Sequence, residues 1–185
     1  MSSLSDLELI TDFQNGKEAA FNELVHRYQE KVYWVARKFV GDHDSADDVV
    51  QDVFVKAYEA LKSFRGESSV YTWLYRITVN IALNALRKQK LRDFFRIDEF
   101  FELKDDLSEL PDQIIEKKEQ RDLIQEAVAT LPEKQKAVFV MRYYDEMNYE
   151  QIAEVLKTTV GGLKANYFHA VRKIGEYLNR AHRTR

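Results

Sequence analysis

Residues 148–174 read NYEQIAEVLKTTVGGLKANYFHAVRKI. Asn148, followed three residues later by Gln151, is a capping pair, each side chain satisfying an orphan amide at a helix start. Ile152, Ala153 and Leu156 follow at helical spacing, so a short helix over Tyr149–Leu156 is expected. Lys157-Thr158-Thr159 makes a tight turn. Thr158 or Thr159 then caps a last helix reaching about Arg180, with Leu163, Ala170, Val171 and Ile174 packing back on the short one. Short helix, brief turn and longer basic helix have the spacing of a helix-turn-helix. Lys164, Asn166, Phe168, His169, Arg172 and Lys173 are left near the exposed face. Such a helix can enter the major groove, and its first amides can hold phosphate. Ordinary helical pairs share this spacing, so it does not decide the function alone.

The remaining chain also reads as helix. Two Pro and six Gly in 185 residues are too few for a turn-rich β fold. Ser5 and Glu8 form another capping box, and Gly16 closes that helix. Residues 18–40 place Phe21, Leu24, Val25, Tyr28, Val32, Val35, Ala36 and Phe39 on one face, and Gly41 stops them. A third helix is expected from near Asp44 to about Lys62, with Ala46, Val49, Val50, Val53, Phe54, Ala57, Tyr58 and Leu61 inward. Phe64 to Ser69 is a loop, Ser68 or Ser69 being the next cap. A fourth helix over residues 70–90 would turn Trp73, Leu74, Ile77 and Ile81 inward, completing a four-helix bundle. Residues 93–118 are acidic, hold Pro111 and an aromatic patch (Phe94, Phe95, Phe100, Phe101), and read as a linker or a fifth packed helix. After it, helices over about 119–130 and 132–144 flank Leu131-Pro132 and precede the helix-turn-helix. The expected fold is all-α, with two small helical domains, 1–92 and 119–185, joined by the acidic linker 93–118.

Composition removes several classes. The absence of Cys excludes disulfide scaffolds, Cys-based zinc sites and thiol nucleophiles. No apolar run is long enough to span a bilayer. Met1 to Asp12 carries acids and no basic residue, unlike a secretory signal, so a cytoplasmic address is expected. His26, His43, His169 and His182 are scattered, and neither a Walker loop nor a dinucleotide fingerprint is present, so no enzyme, metal, cofactor or small-molecule substrate is expected.

The charge is uneven. Residues 81–92 hold four basic and no acidic side chains, and residues 157–185 hold seven and one, within a chain of net charge −3. Two basic segments in an acidic chain suit a protein that touches polyanion twice. The bland alternative is that cations gather at helix C-termini to offset the dipole. Arg76, Asn80, Asn84 and Lys88 step by four and share one face, with Arg87 beside them. Phe64, Tyr71, Trp73 and Tyr75 lie upstream, and aromatic rings beside cations are what grip unstacked bases. Trp73 also falls on the apolar stripe, where a core role competes. Asp44, Asp47, Asp48 and Asp52 crowd one helix end with Gln51. This is either a solvated acidic face or a docking surface for a basic partner.

Phe64-Arg65-Gly66-Glu67-Ser68-Ser69-Val70-Tyr71-Thr72-Trp73-Leu74-Tyr75-Arg76-Ile77 resembles the F-R-G-x-S-x-x-Y-T-W-L-Y-R-I segment of extracytoplasmic-function sigma factors of bacterial RNA polymerase, especially sigma-E-like ones. Asp47 to Phe54 resembles their D-V-x-Q-E-x-F segment, with Asp52 replacing the usual Glu. Leu131-Pro132 and Tyr149 to Ala153 resemble stretches of their fourth region. The resemblance implies that the first domain is sigma region two and the second sigma region four. It implies that Asp47, Asp48, Gln51, Asp52 and Phe54 meet the β′ clamp helices of core RNA polymerase, and that region four meets the β flap. Lys56, Ala60, Phe64, Tyr75, Ile77 and Asn80 match the pocket and rim that take a flipped base of the minus-ten element, with Arg76, Asn84, Arg87 and Lys88 beyond. Lys164, Ala165, Asn166, Phe168, His169, Arg172 and Lys173 match the helix that reads minus-thirty-five duplex DNA. The linker would thread toward the polymerase active site. An anti-sigma protein, and a stress or envelope regulon, belong to the same expectation. The chain departs from the family where Asn166, His169 and Val171 replace basic residues, and Gly162 is an unfavourable helix residue unless the backbone approaches DNA closely. A helix-turn-helix regulator working without core polymerase is the rival, and would leave the Phe64–Ile77 segment and the acidic helix unexplained.

Overall fold

The computed structural model describes residues 4–95 and 122–183. The described residues form helices and loops with no strand, in two compact units divided between Lys88 and Gln89. Most of the expected linker, with Pro111, Phe100 and Phe101, lies outside the described residues.

The first unit holds α1 (Asp6–Gln14), α2 (Ala19–Val40), α3 (His43–Leu61) and most of α4 (Val70–Phe95). Each boundary has a local cause. Ser5 Oγ accepts from the Glu8 amide at 3.3 Å while Glu8 Oε2 accepts from the Ser5 amide at 2.6 Å. Those bonds from Ser5 hold the Glu8 carboxyl below its ordinary range. Gly41, at φ +93°, takes the left-handed turn that ends α2. The cap of α3 is Asp42, whose carboxylate accepts from the Ser45 amide at 2.7 Å, so the helix begins before the expected Asp44. Ser69 caps α4 through the Thr72 amide at 3.1 Å.

Rings carry much of this core. Phe13, Phe21 and Tyr58 meet with centroids 5.1–5.5 Å apart, and Phe54 lies 6.4 Å from Phe21. Tyr28 donates its phenolic proton to Asp6, which also pairs with Arg27 at 3.2 Å, so α1 is pinned to α2 at its other end. The inner face of α4 differs from expectation. Val70, Leu74, Tyr75, Thr78, Val79, Ala82, Leu83 and Leu86 are buried, whereas Trp73, Ile77 and Ile81 are half-buried. Thr78 is wholly buried, but its hydroxyl donates to the Leu74 carbonyl at 2.8 Å, so that hydroxyl is not stranded. The helix also runs five residues past the expected 90, into the start of the expected linker.

The second unit holds α5 (residues 122–129), α6 (Glu133–Phe139), α7 (Tyr149–Leu156) and α8 (Val160–Arg183). Pro132 stands at the cap of α6, where its missing N–H costs nothing. The expected continuation to Tyr144 is not α-helical, because Val140–Tyr144 form a π-helical turn. That turn ends in wide-ring bonds, Asp145 amide to Val140 carbonyl at 3.3 Å and Met147 amide to Met141 carbonyl at 3.0 Å. Asn148 and Gln151 form the expected box, each bond 2.8 Å. Ile152, Val155, Leu163, Ala170 and Ile174 are buried. Val171, expected among them, is 46% exposed and lies on the outer face of α8.

Lys136 is the charged group this core tolerates least. It is buried in α6, and burial pushes its ammonium down to about 8 from 10.5. Between those values the unfolded chain keeps a proton that the folded chain releases, so stability rises with pH there; at pH 7 both forms are charged and the burial cost is fully present. Lys136→Met is expected to raise stability at pH 7 by about 1–3 kcal/mol, with the advantage shrinking toward pH 10.5. Urea unfolding of both proteins at several pH values measures it; a Met variant no more stable at pH 7 refutes it.

Candidate nucleic-acid interface

In the first unit, Lys56 and Ala60 step along the outer side of α3 by four residues and lead to Phe64, just past its end. Lys56 is exposed and Ala60 half-buried. The half-buried Phe64 ring is 5.1 Å from the Trp73 ring. Trp73 is therefore the floor beneath Phe64 rather than central core. Ile77 and Asn80 follow along α4. Asn80, Asn84, Arg87 and Lys88 are exposed, and Arg76 is half-buried. Asn80 Nδ2 donates to the Arg76 carbonyl at 2.8 Å, and Asn84 Oδ1 accepts from Arg87 at 3.0 Å. Tyr71, 40% exposed, is stacked near Tyr28 with the Lys31 ammonium over both rings at 5.4–5.8 Å. This stripe offers rings, amides and cations together, which suits unstacked bases on a phosphate chain.

The opposite charge gathers on α3. Asp44, Asp47, Asp48, Gln51 and Asp52 are exposed. Asp47 lies 3.6 Å from His43, and among the described residues Asp44, Asp48 and Asp52 have no ion-pair partner. An array of uncompensated carboxylates in water is a ready partner for a cationic surface.

In the second unit, Lys157 takes φ +50° at the end of α7, and the Thr158 amide bonds the Ala153 carbonyl at 3.2 Å. Thr159 Oγ1 accepts from the Gly162 amide at 3.3 Å. A Cβ on Gly162 would stand 3.3 Å from that oxygen, so the cap itself favours glycine. Gly161, Lys164, Ala165, Phe168, His169, Val171, Arg172 and Lys173 are exposed. Phe168 is 64% exposed, with exposed Ala165 and Val171 one turn away on either side. Arg172 pairs with Glu176 at 3.1 Å, and Asn166 Nδ2 donates to the Gly162 carbonyl at 2.8 Å. Behind α8, Tyr149 takes Arg142 and Lys164 over its ring at 5.4 and 5.8 Å.

Residues 24–92 match the family model for Sigma-70 region 2, and residues 121–174 match that for Sigma-70, region 4. The ECF RNA polymerase sigma-E factor of Escherichia coli (strain K12) is 40% identical over 174 residues, covering 90% of this chain and 91% of that protein. The chain belongs to the extracytoplasmic-function sigma factors. The RNA polymerase sigma-H factor of Pseudomonas aeruginosa is 37% identical over 182 residues, covering 94% of this chain and 93% of that protein. The sigma factor RpoE from Bartonella quintana, solved with the anti-sigma factor NepR, shares the fold at TM-score 0.62 and 21% identity, covering 86% of this chain and 96% of its own. Both sigma regions in order support this reading over the polymerase-independent regulator.

Set against this sigma factor's structure, the residues singled out from sequence divide into two groups. Lys56, Ala60, Phe64, Ile77, Asn80, Asn84, Arg87 and Lys88 lie open or half-open on the first unit. Tyr75 does not: it is 5% exposed and its ring lies 6.2 Å from that of Tyr71. Phe54, expected on the acidic docking face, is half-buried with its ring toward Phe21. Two exposed apolar side chains lie outside the set read from the sequence: Val55, 63% exposed beside Gln51 and Asp52, and Trp34, 55% exposed and edge-on to Tyr33. Their places off the buried stripes of α3 and α2 were the available clue. Among the described residues no cluster of three ligating side chains could hold a metal ion, and no helix is long and apolar enough to cross a membrane.

The cap of α8 sets where its exposed face starts. Thr159→Val, close in shape but without the acceptor, is expected to lower stability by about 1 kcal/mol. Hydrogen exchange should quicken at the Gly162 amide while α7 stays protected; unchanged exchange there would refute the cap's role.

Proposed function

We propose that this sigma factor divides promoter recognition between its two units. The first takes the minus-ten element as a single non-template strand, Phe64 holding a flipped base above Trp73 with Lys56, Ala60, Ile77 and Asn80 as the rim. Arg76, Asn84, Arg87 and Lys88 continue along the backbone of that strand. The second reads minus-thirty-five duplex DNA with Lys164, Ala165, Asn166, Phe168, His169, Arg172 and Lys173. Asp47, Asp48, Gln51 and Asp52, with Val55 among them, dock on the β′ clamp helices of core RNA polymerase, and region four docks on the β flap. The protein works as a binding subunit with no chemistry of its own, in the cytoplasm where polymerase and DNA are. One structural neighbour of the same fold was solved with an anti-sigma factor, and such a partner is part of this reading. The observation that carries it is the Phe64–Trp73 pair: a half-open ring in a loop, at the head of a stripe of cations and amides.

Run-off transcription with core polymerase on fragmented genomic DNA tests the whole reading. New 5′ ends sharing a two-box upstream motif are expected only when this protein is added. Tight duplex binding by the protein alone, with no new starts, would overturn it. Within that assay Phe64→Ala should weaken capture of the minus-ten strand by about 1–3 kcal/mol, a single stacked base's worth.

The outer face of α8 predicts how duplex DNA is read. Ala165, Phe168 and Val171 are exposed and apolar among the exposed Lys164, Arg172 and Lys173, and apolar groups in the major groove favour the thymine methyl. Replacing thymine by uracil throughout the minus-thirty-five element is expected to cost about 1 kcal/mol or more of holoenzyme affinity. Equal binding to both templates would refute apolar readout.

A further inference from the structure

We propose that Gln14 is a positioning residue for base recognition, because its amide locks the loop that carries Phe64. This rests on the reading of that loop as the base-binding element. Gln14 is the last residue of α1. Its Nε2 donates to the carbonyls of Leu61 and Phe64, both at 3.0 Å, which uses both amide hydrogens. Leu61 ends α3, where carbonyls have run out of helical partners. The Leu61 carbonyl also accepts from the Phe64 amide at 3.2 Å, so a single turn is braced twice, once by itself and once by α1.

Other contacts seat α1 against the same loop. Phe13 meets Tyr58 edge-on at 5.1 Å, which fixes the helix end beside α3. Gly66, at φ +74°, bends the loop, and a Cβ there would stand 3.8 Å from Leu7 Cδ2. Ser69 closes the loop at the α4 cap. Phe64 is thus fixed by Gln14 on one side and by the Gly66 bend on the other. The Gln14 bonds lie near solvent, so water can replace them and the folded state loses little when they go. A loosened loop, by contrast, must be ordered each time a base enters, and that entropy is subtracted from the binding of the correct base. The effect of Gln14 therefore falls on recognition more than on stability.

The experiment uses the full chain with core polymerase and promoters carrying each of the four bases at every minus-ten non-template position. Abortive initiation rates give the discrimination at each position. Gln14→Glu keeps the shape but loses both donors, and Gln14→Lys restores donors. At the position that Phe64→Ala affects, Gln14→Glu should lower discrimination about five- to tenfold. Gln14→Lys should recover most of it. Core polymerase affinity, minus-thirty-five duplex binding and the thermal midpoint should match the parent. Full discrimination by Gln14→Glu while Phe64→Ala loses it overturns the positioning role alone. Full discrimination by both variants overturns the loop reading and the positioning role with it. A parallel fall in core affinity or thermal midpoint, or no recovery with Gln14→Lys, reduces Gln14 to a structural residue and also overturns the proposal.

Discussion

The meeting of Phe13, Phe21 and Tyr58, rings from three consecutive helices, is the contact on which the first unit depends. Each ring removes a large apolar area from water, and edge-on geometry adds a modest electrostatic preference. Tyr58 also donates its hydroxyl proton to Glu18 at 3.0 Å. With α1 held there, its last residue reaches the end of α3, and the Phe64 loop inherits a fixed starting point. The acidic face of α3 and the stripe on α4 are the polar remainders of helices whose inner sides this packing has used.

Parts of the structure were legible because local chemistry leaves paired marks in sequence. Ser5 with Glu8 and Asn148 with Gln151 are two-residue patterns with one sensible meaning, and both boxes formed. Gly41 after a long apolar stripe is similarly unambiguous. The face of α4 was not, because outside the stripe from Arg76 to Lys88 that helix is widely apolar: Trp73, Ile77 and Ile81 compete with Leu74, Val79 and Leu83 as its inner side. The same ambiguity hid the burial of Tyr75. The π-helical turn at Val140–Tyr144 has no sequence mark that separates it from ordinary helix. Gln14 was invisible for a different reason, since its partners are 47 and 50 residues away.

One chain carries both signs of charge on separate faces. Acids cluster on α3, and cations on the ends of α4 and α8. Such separation lets a protein present one surface to polyanion and another to a cationic protein without self-neutralisation. Lys164, Arg172, Lys173, Arg180 and Arg183 are exposed on α8, and Arg172 is shared with Glu176.

Asn80 and Asn166 each give one amide hydrogen to the carbonyl four residues back in their own helix. The bond freezes a side chain that would otherwise swing among rotamers. What remains outward is one hydrogen and one oxygen in a preset direction. In the proposed role, a side chain frozen before it meets a base loses little freedom on binding and cannot swing aside to suit a wrong one, so the same rigidity would make a mistaken base costly.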